Sequence, residues 1–293
     1  MNMGLGTAQF GLAYGISNRD GQTPETEARG ILSGAATRGF TLIDTAAQYG
    51  TSEAVIGRCL PAGHRFRIVT KTPTYEKAAL DDGDALRLDA QFRASLRYLG
   101  QRTLYGLMIH HAEDLLAENG VVLWRAMQNL KAAGGVEKIG VSLYTPEQLD
   151  AVVASFPVDL VQVPVNVLDQ RLVRSGRLKR LKQAGVEVHA RSIFLQGLLL
   201  MDPGALAGPL ARAREVLTRY RGLARDRGLT PLEAALAYVN GVGEIDAVIV
   251  GVNNARQLDE LCAAGRRDRG ATPLDFAEFA VDDERIIDPR RWQ

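Results

Sequence analysis

"TLIDTAAQYGTSEAVIG", residues 41–57, is an apolar, β-branched run that ends on Asp44 and gives way to a helix opening near Ser52 and Glu53. A short run of this kind bounded by turn residues reads as a buried strand. The same order, strand-like run then amphipathic segment, recurs along the chain. Candidate strands fall at 3–8, 41–45, 67–71, 104–110, 138–143, 160–165, 186–191 and 247–252. Between them lie helical segments such as 25–39, where Ile31, Leu32, Ala35 and Ala36 share a face and Gly39 supplies a stop. Another, 84–100, closes on Gly100, and a third, 147–156, is opened by Thr145 as cap with Pro146 in its first turn. Eight such units with no linker predict an α/β fold, one (β/α)8 TIM barrel domain over residues 1–293. A doubly wound sheet would leave two strands without a place. The seventh unit is extended, over 195–245, and a C-terminal tail covers 280–293.

Composition narrows the function classes. Apolar residues make up 46% and charged residues 24%, with a formal net charge of +1. That balance points to neither nucleic acid nor an anionic membrane as partner. The patch "GRRDRG" at 265–270 reads as a solvated loop. No apolar stretch approaches the roughly 20 residues of a spanning helix, and no signal peptide opens the chain, so a cytoplasmic location is expected. Cys59 and Cys262 are too few for a disulfide framework or a zinc site, and no metal is expected.

Chemistry in such a barrel collects at the C-terminal ends of the strands. Asp44, Lys71 and His110 end the second, third and fourth strands, and Tyr49 follows in the loop after the second. Each alone has an ordinary structural explanation. Together, at the ends of three successive strands, they form a candidate catalytic group.

Residues 43–57 resemble the signature of the aldo-keto reductase family, in which Asp and Tyr stand five apart. "VTK" (69–71) and "MIHH" (108–111) resemble that family's lysine and histidine strands, and the likeness continues in order through residues 138–149, 160–170, 190–199 and 249–261. The resemblance implies a reductase that passes a hydride from NADPH to an aldehyde or ketone, with Asp44, Tyr49, Lys71 and His110 as the catalytic four. The alkoxide formed by hydride addition needs a proton as its charge develops. Tyrosine, with a pKa near about 10, is a weak acid at neutral pH. An ammonium at Lys71, held by Asp44, would favour the phenolate, and His110 would orient the substrate oxygen.

The resemblance also implies the cofactor contacts. Ser142 and Gln162 are carried onto the nicotinamide carboxamide, Thr7 and Ala8 approach through backbone groups, and the pyrophosphate lies along Ser192, Phe194 and Gly197. Gly251, Asn253, Arg256, Gln257 and Glu260 serve the adenosine end, with Arg256 expected at the 2′-phosphate. Three positions depart from the family pattern: Leu143 stands where Asn is common, Arg191 where an aromatic stacks on the nicotinamide, and Leu261 where an Asn often follows Glu260. The chain begins directly at the first strand, without the hairpin that closes the barrel floor in many relatives.

The pocket walls are expected from residues 13–23, 72–82, 111–118 and the C-terminal tail, with Tyr14, Tyr75 and His111 as substrate contacts. Their polar character points to a small aldehyde, a sugar or a polyhydroxylated ketone. The tail is expected either to cover part of the barrel or pocket through Trp292 or to hang loosely. A monomer or weak homo-oligomer is expected. The rival reading is a nicotinamide-binding regulatory subunit with little turnover, as in the potassium-channel β subunits that share the barrel.

Overall fold

Eight parallel strands close on themselves in sequence order in a computed structural model that describes residues 2–267 and 274–292. They are β1 (Met3–Gly6), β2 (Leu42–Asp44), β3 (Arg67–Lys71), β4 (Leu104–Ile109), β5 (Val136–Ser142), β6 (Leu160–Pro164), β7 (Glu187–Arg191) and β8 (Ala247–Gly251). β1 pairs with both β2 and β8, which completes the ring. Each expected strand is present, most of them shorter than the apolar run that announced it.

Alternation along the strands builds two separate cores. Ile43, Ile68, Leu107, Val161 and Val250 face outward and pack under the helices. Their neighbours Leu42, Val69, Met108, Leu160 and Ile249 fill the barrel interior as a distinct cluster. Gly4 and Gly106 are required here, since a Cβ on either would press on interior side chains of Leu42, Ile249, Val69 or Leu160. At the N-terminal end the floor is polar. The Tyr105 hydroxyl donates to Glu187 at 2.6 Å, His189 meets the other carboxylate oxygen at 2.6 Å, and Lys138 also donates to Glu187.

Local sequence explains the helix boundaries. The helix Asp82–Leu99 opens on a capping box between Asp81 and Asp84 and stops at Gly100, which has a φ of 64°. Thr145 and Gln148 form the same device at the start of the helix Pro146–Ser155. The extended seventh unit consists of three 3-10 segments between Leu195 and Ala213, followed by the helices Arg214–Asp226 and Pro231–Asn240. The patch at 265–270 is not a loop throughout: residues 265–267 finish the helix Ala255–Arg267, and 268–270 lie outside the described residues. The tail is attached. Val281 donates its N–H to the Leu168 carbonyl at 2.8 Å, Arg171 pairs with Glu284 at 3.3 Å, and the Trp292 indole donates to the Ile286 carbonyl at 3.2 Å.

Candidate active site

One step of two residues beyond the interior core leads to the polar rim. Leu42 is followed in phase by Asp44, Val69 by Lys71, Met108 by His110, Leu160 by Gln162 and His189 by Arg191. These five side chains therefore share the inner face at the C-terminal end, where apolar filling stops.

Asp44 is the hub. Its carboxylate accepts both a 2.8 Å pair from the Lys71 ammonium and a 2.7 Å bond from the Gln162 amide, while Lys71 also donates to the Thr45 carbonyl at 3.0 Å. Lys71 is only 1% exposed. An ammonium has three protons, and all three are engaged. The Thr7 hydroxyl and N–H both donate to the Asp44 backbone carbonyl, which ties β1 to β2 at the rim.

Tyr49 stands on a turn that begins at Ala46 and passes into the helix Ser52–Cys59. The turn is pressed against the short helix Ala8–Gly11 so closely that a Cβ on Gly11 would lie 1.7 Å from the Tyr49 carbonyl oxygen. The ring meets His110 edge to face at 5.7 Å, and the Lys71 nitrogen lies 5.1 Å from its centre. Burial and the Asp44 charge push the Tyr49 hydroxyl well above its ordinary pKa, with Arg191 opposing. The expected lowering by Lys71 is not what this arrangement gives, because the ammonium protons are spent on Asp44 and Thr45. Burial also depresses Lys71, against the pull of Asp44. His110 is lowered to about 2 by burial, with Lys71, His111 and Arg191 adding to the effect, so its imidazole is neutral.

A cavity of about 300 Å³ opens over these groups, within the range of ligand sites. It runs from Asp44, Tyr49 and His110 past Ser142, Gln162 and Arg191 to Gly251, Asn253, Gln257 and Glu260. Thr7, Ala8, Tyr14, Ser192, Phe194 and Gly197 also line it. A loop from β1 reaches over the extended segment after β7, with the Ile16 N–H donating to the Gln196 carbonyl at 3.2 Å. Ser192, Leu195 and Gln196 hold positive φ there.

Three expected contacts are not among the residues that line the cavity. Tyr75 does not line the cavity: it is 7% exposed, its hydroxyl donates to the Asp84 carbonyl, and its N–H donates to Asp114. His111 stands beside the cavity with its ring 5.3 Å from that of His110. Arg256 is 80% exposed and faces Glu260 at 3.8 Å. No described residue of 72–82, of 111–118 or of the tail lines the cavity. The first two loops bind each other instead, through Asp114 and a bridge between Ala79 and Glu118. Gln162, expected on the carboxamide, donates its amide to Asp44 in this structure. Tyr144, which the sequence reading passed over, lines the cavity one step beyond the Leu143 departure and is detectable only by extending the strand-end rule into the loop.

Two buried polar atoms of the wall have no partner, His110 Nδ1 and Asn253 Oδ1. Buried polar atoms are ordinarily satisfied, so both ends of the cavity have room for a polar ligand. A nicotinamide dinucleotide, polar along its length, fits that wall. Among the described residues no cluster of His, Cys, Asp or Glu could hold a metal ion, and no helix is long and apolar enough to cross a membrane.

Comparison with known proteins agrees with the barrel. The model of the Aldo/keto reductase family matches residues 2–269, and the chain belongs to that family. An aldo-keto reductase of Mycolicibacterium vanbaalenii is 30% identical over 211 residues, 68% of this chain and 71% of that protein. L-glyceraldehyde 3-phosphate reductase of Escherichia coli is 25% identical over 85% of this chain and 82% of its own length. Aldo-keto reductase AKR11C1 from Bacillus halodurans, in its holo form, shares the fold with a TM-score of 0.73 at 18% identity, over 97% of this chain and 95% of that one. The family's chemistry is nicotinamide-dependent carbonyl reduction, and the chain is an oxidoreductase of that class.

Proposed function

We propose that this protein reduces aldehydes or ketones with NADPH, using Asp44, Tyr49, Lys71 and His110. The observation that carries the reading is the meeting of a buried Lys71–Asp44 pair, a phenol and a neutral imidazole on the wall of one cavity. A bound reduced nicotinamide supplies a hydride. The carbonyl carbon accepts it, the π electrons move to oxygen, and that oxygen takes the proton of the Tyr49 hydroxyl. Burial keeps the phenol protonated at neutral pH, so the donor is loaded. The Arg191 charge favours the phenolate left behind, against Asp44. Neutral His110 offers its one ring N–H to the substrate oxygen, which fixes the carbonyl in line. Tyr14 and Tyr144, which also line the cavity, would contact the substrate.

The NADPH preference rests on the first turn of the helix Ala255–Arg267. The exposed pair between Arg256 and Glu260 is worth only about 0–1 kcal/mol, too little to keep the guanidinium from turning to a 2′-phosphate. Dissociation constants for NADPH and NADH, in wild type and Arg256→Ala, test it. Equal affinities refute the preference.

The reaction is tested with a panel of aldehydes, followed by loss of reduced-cofactor absorbance. Wild type turns over at least one class, and Tyr49→Phe loses a hundredfold or more in kcat while its NADPH dissociation constant stays within threefold. Activity within tenfold of wild type in the Phe variant removes Tyr49 as the acid.

A further inference from the structure

Three charged side chains of the described residues line the cavity, Asp44, Arg191 and Glu260. Asp44 is matched by Lys71, and Glu260 faces Arg256. Arg191 differs. Its hydrogen bonds go to neutral acceptors, the Leu143 carbonyl at 3.0 Å and the Ser192 hydroxyl at 3.1 Å, and no carboxylate of the described residues pairs with it. Arg171, comparably placed on the next rim segment, has both Asp169 and Glu284.

Asp169 acts on Arg191 only from a distance and is itself paired with Arg171; a half-buried cation with no carboxylate in contact is costly, and in a cavity wall the missing contact belongs to a ligand. Of the five N–H donors of the guanidinium, two are used and three remain, a fork suited to a carboxylate or phosphate. Its direction says which ligand. β7 lies between β6 and β8, and the side chain crosses β6 to reach Leu143 at the end of β5. That is away from β8 and the helix Ala255–Arg267, where the adenosine end of the cofactor is proposed, and toward the half of the rim that carries Lys71 and His110. The guanidinium is braced there, 4.0 Å over the Tyr144 ring, and Arg290 of the tail lies 3.6 Å from the same ring. Arg290 is itself paired with Asp288 and Glu113, so its charge is spoken for.

We propose that Arg191 receives an acidic group of the substrate, so that the preferred substrate is an aldehyde or ketone that also carries a carboxylate or a phosphate, held with its carbonyl at Tyr49 and His110. This rests on the reductase reading above. It makes the replacement of an aromatic by Arg191 a specificity device and gives the tail a part in substrate choice, through the Tyr144 shelf.

The test compares kcat/KM for 4-oxobutanoate with butanal, and for glyceraldehyde 3-phosphate with glyceraldehyde. The two pairs separate carboxylate from phosphate as the recognised group. Wild type should favour the acidic member of at least one pair on the order of tenfold to a hundredfold, chiefly through KM. Arg191→Met should bring that ratio within threefold of one, and Arg191→Lys, which keeps the charge without the fork, should fall between. Absence of an acidic preference in wild type, or a loss in Arg191→Met shared equally by acidic and neutral members, overturns the proposal. Succinate and inorganic phosphate, measured by calorimetry without turnover, separate this failure from failure of the reductase reading. Binding of either to wild type and its loss in Arg191→Met uphold the anion site even if no aldehyde is reduced.

Discussion

Asp44→Asn removes the counter-charge of an ammonium that is 1% exposed, while changing shape hardly at all. The asparagine oxygen can accept one Lys71 proton, but the ammonium meets both carboxylate oxygens, so in either orientation the NH2 faces it, a donor against a donor. Breaking a buried pair this way costs about 3–5 kcal/mol. The loss has a ceiling, because Lys71 can fold deprotonated instead. From an unfolded pKa of about 10.4, releasing the proton costs about 4.6 kcal/mol at pH 7 and about 1.9 kcal/mol at pH 9. The sign follows: a folded-state lysine pKa below the unfolded value leaves more protons on the unfolded chain, so the variant regains stability as pH rises toward 10. Urea unfolding followed by circular dichroism should show a deficit of about 4 kcal/mol at pH 7 that shrinks to about 2 at pH 9. Adding Lys71→Met should restore about 2 kcal/mol or more at pH 7, since a neutral Asn–Met pair of similar volume no longer buries a lone charge. A deficit under about 1 kcal/mol at pH 7, or a double variant that shows the sum of both single losses, would refute the reasoning.

Gly11→Ala should lower kcat more than tenfold, because its Cβ must displace the turn that carries Tyr49; a kcat within twofold of wild type removes that positioning role. Glu53 is buried between the Thr70 and Ser95 hydroxyls, at 2.6 and 3.0 Å, and burial raises its pKa over their opposing effect. The folded state therefore holds this proton more tightly, and the stability it brings is full below the unfolded pKa and is lost as pH rises through the folded one. Glu53→Gln should gain on wild type in urea melts as pH rises above the unfolded glutamate value of about 4.3, and a difference independent of pH would count against it.

Much of this was legible because a strand has a period of two. Asp44, Lys71, His110, Gln162 and Arg191 each stand two residues beyond an interior residue and in phase with it, so their convergence follows from sequence once eight strands are counted. The loops have no such period. Residues 72–82 look like a pocket wall until Asp114, far along the chain, draws the Tyr75 and Glu76 amides to itself. A pairing between two loops leaves no local trace, so sequence alone points Tyr75 at the substrate. Arg256 is a matter of helical phase. Asn253, Gln257, Glu260 and Leu261 stand at the spacing i, i+4, i+7, i+8 and line the cavity, while Arg256 is rotated about 100° from Gln257.

The protonation pattern constrains how such a site could work. Lys71 has no free proton, His110 is neutral, and Tyr49 is held in its protonated form, so the three groups offer one transferable proton between them, on the phenol. A lysine that donated to the phenol would have to release Asp44 or Thr45, leaving a buried acceptor unsatisfied at about 1–3 kcal/mol. The Lys71–Asp44 pair therefore acts on Tyr49 as a fixed field rather than as a relay. In that field two charges oppose each other: Asp44 favours the phenol, and Arg191 favours the phenolate. A substrate acid bound at Arg191 would neutralise part of the second effect. Holding an anionic substrate and stabilising the phenolate thus draw on the same guanidinium, and the balance between them is set where Arg191 is braced, on Tyr144 and the Leu143 carbonyl.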